Sequence, residues 1–114
     1  MTNRYLGRQE SWRVEYDLLV RDVVPGRGSP YVHTCPRDVF EDVAHAIDEL
    51  DGEDFTGEEL VDQTGQPSTN VFVALAFLRE RSIVNPTIRR RNVLVGDCCH
   101  LDAMTEYTAL EAGA

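Results

Sequence analysis

Between residues 55 and 82 two helical patterns stand so close together that only a tight turn fits between them, and nothing else constrains the chain as much. Thr56 followed three residues later by Glu59 is a capping box, and Glu58 and Glu59 sit where a helix N-terminus favours acids. Leu60 and Val61 are the buried residues of this short helix, and Gly65 suits the left-handed position that closes one. Only Gln66, Pro67 and Ser68 then intervene before Val71, Ala74, Leu75 and Leu78 mark the buried stripe of a second helix, which ends near Arg81 and Ser82. Two helices are thereby joined by a tight turn.

The flanking segments are as legible. After Pro36, a good first helical residue, Phe40, Val43, Ala44, Ile47 and Leu50 recur at spacings of three and four, with acids on the opposite face. Asp51-Gly52 stops that helix, and Phe55 is the lone apolar residue before the capping box. Beyond Ser82, Ile83, Val84 and Ile88 precede Arg89-Arg90-Arg91-Asn92, and Val93, Leu94 and Val95 follow, which predicts a β-hairpin with an arginine tip. Leu101, Met104, Tyr107 and Leu110 punctuate a polar tail that predicts a last helix. At the other end, Trp12, Val14, Tyr16, Leu18 and Val20 alternate with charged residues, which favours a strand. Trp12, Tyr16, Leu19, Val20 and Val23 also fall at helical spacing, so a helix stays as the alternative there. A loop spans residues 25–30, and residues 31–34 are expected to return as a partner strand.

The order helix, short strand, helix, glycine turn, helix, two-stranded wing resembles the winged helix-turn-helix superfamily. Phe55-Thr56-Gly57-Glu58-Glu59-Leu60-Val61-Asp62-Gln63-Thr64-Gly65 is similar to that family's second helix and turn. Ser68-Thr69-Asn70-Val71, Ala74-Leu75, Leu78-Arg79-Glu80-Arg81 and Ile83-Val84 are similar to its recognition helix and first wing strand. The resemblance covers about residues 36–96 and implies an α+β fold: a three-helix core with a two-stranded wing, an N-terminal β arm over 1–35 and a C-terminal helix over 97–114, all in one domain. It also implies contact with double-stranded DNA by a small bacterial protein of transcription-regulator type. Ser68, Thr69 and Asn70 at the start of the third helix and Arg89, Arg90 and Arg91 on the wing are the implied contacts. One departure from the pattern opens a second reading. Phe72, Val73, Ala76 and Phe77 are apolar where a groove-reading helix usually carries polar groups, so that helix is expected to be covered on both sides. The same four residues are then the contact surface of a protein-interaction or dimerisation module that does not bind DNA.

Length and charge bear on both readings. One hundred and fourteen residues make one domain, and 42% hydrophobic with 27% charged residues is the composition of an ordinary globular chain. Eleven basic residues, all Arg, face 20 acidic ones for a net charge of −9, which excludes a protein that coats nucleic acid or anionic membrane with its whole surface. Residues 66–96 nevertheless hold five Arg against Glu80 alone, a local +4 against −13 elsewhere, as a protein presenting one basic face would. A homodimer is expected, because the arm and the last helix carry more apolar surface than so small a core covers. Residues 1–10 lack the apolar stretch of a signal peptide, and the longest apolar run, 71–78, is too short to span a membrane, so a cytoplasmic location is expected.

Three cysteines, two of them adjacent, do not form the spaced even set of a disulfide scaffold. His33 and Cys35 with Cys98, Cys99 and His100 hold enough nitrogen and sulfur for a zinc site if the two segments meet, but neither half is a C-x-x-C knuckle, and buried thiols are the simpler expectation. On the first helix Glu41, His45 and Glu49 follow one another at i, i+4, and a solvated helix face is the plain reading of that row. No glycine-rich phosphate loop, H-E-x-x-H or nucleophile elbow occurs. Neither an enzyme nor a cofactor is expected.

Overall fold

A computed structural model describes residues 7–113; residues 1–6 of the expected arm lie outside the described residues. Among the described residues the protein is α+β, with a three-stranded antiparallel sheet at the N-terminal end, four α-helices, and a separate two-stranded hairpin.

The sheet is built from β1 (Gln9–Glu15), β2 (Leu18–Val24) and β3 (Tyr31–Pro36), in that order. Where the alternation predicts one strand through residues 12–20, the chain reverses at Tyr16 and Asp17, whose φ values are 52° and 60°. Two consecutive left-handed residues make the two-residue hairpin turn that matches strand twist. Neither residue is a glycine or asparagine, and Tyr16 projects into solvent at 92% exposure. The alternation runs through the turn, which therefore leaves no mark in the sequence. Reversal changes which side chains share a face: Trp12 stands opposite Arg21, Val14 opposite Leu19, and Leu19 opposite Cys35. The second strand continues through residues 25–30 as a loop and returns as β3, as expected.

β3 runs directly into α1 (Arg37–Glu49), whose Val39, Phe40, Val43, Ala44, Ala46 and Ile47 are buried. After Phe55 come α2 (Gly57–Thr64) and α3 (Ser68–Glu80). The capping box is present in full: the Glu59 amide donates to Thr56 Oγ1 at 3.1 Å and the Thr56 amide to Glu59 Oε1 at 2.9 Å. Gly65 closes α2 at φ 68°. The hairpin β4 (Val84–Pro86) and β5 (Asn92–Leu94) is shorter than the apolar runs suggest, and its tip is a tight turn over Ile88–Arg90 with Arg89 and Arg90 left-handed. Phe55 joins it through a bridge to Asn92, with amide-to-carbonyl bonds of 2.9 and 2.7 Å. Asn92 is fully buried and its amide is satisfied, accepting from Arg79 Nε at 2.8 Å and donating to the Phe55 carbonyl at 3.5 Å. Finally α4 (Cys99–Glu111) buries Cys99, Ala103 and Tyr107. Leu101, expected on its apolar side, is exposed instead.

One cluster of buried side chains joins sheet and helices. At its centre the Phe77 ring meets Trp12 edge-on at 5.2 Å and Phe40 at 5.7 Å, and Phe40 stacks on Tyr107 at 5.4 Å. Arm, first, third and last helices thus converge on one aromatic group. Part of the apolar surface of the arm and of the last helix, from which a homodimer is expected, is covered within the chain, while Val24, Val32 and Leu101 stay exposed. Among the described residues no helix is long and apolar enough to cross a membrane.

Candidate functional site

The sheet lies on α3, and this decides what the third helix can present. Val73 and Phe77, expected on a contact surface, are 2% and 0% exposed, so they are core residues and the partner surface built on them is corrected. What remains is Phe72, 39% exposed, with Ala76 half-buried beside it. Asn70, expected to touch DNA, instead donates its side-chain amide to the Thr34 carbonyl of β3 at 2.7 Å. Ser68 and Thr69 are exposed. They open the one described α-helix with neither a side-chain cap nor an acid in its first turn: α1 carries Asp38, α2 its capping box and two glutamates, and α4 Asp102. Its free amides and dipole therefore face solvent uncompensated, the arrangement that favours an anion. A shallow groove of about 280 Å3 lies beside it, lined by Arg21, His33, Ser68, Thr69, Phe72 and Val73. Arg21 is held there by Glu10, Nε to Oε2 at 2.7 Å.

The five arginines of residues 66–96 are not equivalent. Arg91 bonds Asp54 Oδ1 through Nε and Glu59 Oε1 through Nη2, each at 2.9 Å, and these bonds, Asp54 first, raise its pKa further. Arg79 is exposed but bonds the buried Asn92 through Nε, and partial desolvation there lowers its pKa. Arg81 lies over the Phe77 ring at 5.1 Å, with Glu80 at 3.2 Å and Glu106 at 3.9 Å. Arg89 and Arg90 are exposed at the hairpin tip, at φ 59° and 64°, and pair with no carboxylate among the described residues. Arg79, like Arg89 and Arg90, pairs with no carboxylate among the described residues, so the local basic sum rests on three side chains, two of them at the hairpin tip.

The residues of the alternative zinc set do not assemble. His33 stands exposed on β3 against the Tyr31 ring, and Cys35 and Cys99 are buried, where desolvation pushes both thiols up to about 12. Cys98 is exposed, and all three cysteines are free. His100 goes elsewhere. Asp48 of α1 accepts the backbone amides of Cys99 at 2.6 Å and His100 at 3.0 Å, anchoring the start of α4 on α1. His100 Nε2 then lies 2.9 Å from Glu41 Oε1, and its ring stacks on His45 with centroids 4.0 Å apart and planes 12° from parallel. The bond to His100, then that to Arg37, holds the Glu41 carboxyl below its ordinary pKa. The i, i+4 spacing of Glu41 and His45 is visible in the sequence; that His100 completes the group depends on helix packing and is not. A groove of about 240 Å3 adjoins His45, lined also by Asp42, Ala46, Glu49, Gln63 and Thr64.

No family model, curated protein or solved structure matches this chain.

Proposed function

We propose that the chain is a winged-helix protein of transcription-regulator type that grips the phosphate backbone of duplex DNA with the start of α3 and the hairpin tip. The order α1, Phe55, α2, glycine turn, α3, β4 and β5, with Phe55 paired to the hairpin, supports the winged-helix reading. The observation that carries the functional reading is the uncapped start of α3, where the exposed Ser68 and Thr69 open a helix with no acid in its first turn. Such a helix start and two unpaired arginines suit phosphates, which position a protein without reading sequence. Base reading is not part of the proposal, since Asn70 is engaged with β3 and Val73 and Phe77 are buried. The acidic remainder of the surface repels DNA and orients the approach.

The test is fluorescence anisotropy of a labelled duplex titrated with protein at several salt concentrations. Two arginine contacts predict weak binding whose logarithm falls with log salt at a slope of about −2. Changing Arg89 and Arg90 together to Ala abolishes it, and unlabelled DNA of unrelated sequence competes equally well. No binding at low salt overturns the proposal. The exposure of Phe72 next to Ala76 favours the second reading in that event, a protein-interaction module; Phe72→Ser then removes partner binding while the arginine variants keep it.

A further inference from the structure

We propose that Glu41, His45 and His100 form a binding site for a divalent transition-metal ion of the zinc class. One ligand atom from each lies within 4.8 Å of the others, and the Glu41–His100 pair is already at 2.9 Å. A tetrahedral ion with bonds of about 2.0–2.1 Å holds its ligand atoms about 3.4 Å apart, so side-chain rotation alone closes the set. Two imidazoles and a carboxylate select zinc-like ions over calcium or magnesium, which take oxygen, and three protein ligands leave a fourth position for water.

The backbone beneath the three side chains is held by packing, while the side chains themselves are exposed or half-buried. Glu41 and His45 stand one turn apart on α1, whose opposite side is locked in the core by Phe40, Val43, Ala44 and Ile47. His100 is held at the start of α4 by the Asp48 bonds, so the two backbones need not move toward each other. His45 is exposed, so its ring can turn out of the stack to share an ion with its neighbour. Arg37 engages Glu41 through Oε2 at 3.3 Å, which orients the carboxylate and leaves Oε1 to the histidines. Asp42 and Glu49 flank the adjoining groove, so a cation approaches through a negative potential.

Cys98 could contribute a thiolate, its Sγ lying 3.8 Å from Asp48, so the test uses the full chain carrying Cys98→Ser. Cobalt(II) is titrated as a coloured zinc surrogate, and zinc is then added to displace it. The expected result is one ion per chain with visible absorption but no thiolate charge-transfer band, displaced by zinc, and a rise in Tm with zinc. His45→Ala, at an exposed position that leaves the fold intact by circular dichroism, loses both signals, and Glu41→Gln weakens binding at least about tenfold. No cobalt binding at micromolar concentrations, a thiolate band, or undiminished binding by the His45 variant overturns the proposal. The DNA titration is independent of all these outcomes.

Discussion

The side-chain amide of Asn70, in the first turn of α3, donates to the carbonyl oxygen of Thr34 in β3 at 2.7 Å. β3 is an edge strand, so its outer carbonyls have no strand partner, and α3 supplies one from a side chain. A residue expected to touch DNA thus fastens the N-terminal sheet to the helix instead. The same contact covers the helix and limits what it can read.

Replacing Asn70 with Ala should cost about 1–2 kcal/mol, because the Thr34 carbonyl loses its donor at a half-buried position. Denaturant midpoints measure that cost, and the DNA titration measures the rest. Affinity for duplex should stay within about twofold of the parent. Lost DNA binding at unchanged stability would instead make Asn70 a base reader.

Trp12 is the chain's sole tryptophan and reports on the same interface. Its ring meets Phe77 at 5.2 Å and lies under the Arg21 guanidinium at 5.8 Å. Trp12→Ala should lose roughly 2–3 kcal/mol, less than a fully buried tryptophan because the side chain is half-buried. It should also open Phe77 and Val73 to a hydrophobic dye at neutral pH. A variant that is destabilised without binding dye would show that the sheet stays seated on α3 without this contact.

The helices were legible because their signals are local. Thr56 and Glu59 cap α2 through bonds three residues apart, and Gly65 has the left-handed backbone its position demands. The arm was less legible, because Tyr16 and Asp17 turn the chain without glycine and without breaking the alternation on either side. The all-round apolar character of α3 implies a cover, but the sequence does not choose it: Trp12 and Phe77 are 65 positions apart. The candidate sites are less legible for the same reason. A local count of arginines does not show that Arg91 is neutralised by Asp54 and Glu59, and the spacing of Glu41 and His45 does not bring in His100.

Gly57 and Phe72 should be coupled. A Cβ added at Gly57 would stand 2.3 Å from Phe72 Cε1, so the ring must swing outward to admit it. Gly57→Ala should therefore destabilise the parent, since it displaces a ring that packs there. In a Phe72→Ala background the clash is gone, and the gain in helix propensity, up to about 1 kcal/mol, should make the same change neutral or stabilising. A double-mutant cycle read by urea midpoints gives the coupling directly. Additive effects would mean that the ring does not rest on Gly57.

Alkaline pH should weaken the fold in two stages. Burial raises the thiols of Cys35 and Cys99 from 9.0, and the hydroxyl of Tyr107 from 10.0, each to about 12. Because the folded values are the higher ones, the unfolded chain ionises first. The stability that these protonated groups retain is complete below pH 9 for the thiols and below pH 10 for Tyr107, and is lost as pH rises toward 12. The Tyr107 hydroxyl is buried and has no hydrogen-bond partner, so Tyr107→Phe should leave stability at pH 7 unchanged or slightly raised. The same variant should flatten the loss above pH 10 while leaving the earlier loss between pH 9 and 10 in place. Urea midpoints of both proteins from pH 7 to 11 decide the matter. A parent midpoint that does not fall above pH 9, or a variant that falls as steeply as the parent above pH 10, would show that these groups meet water in the folded state.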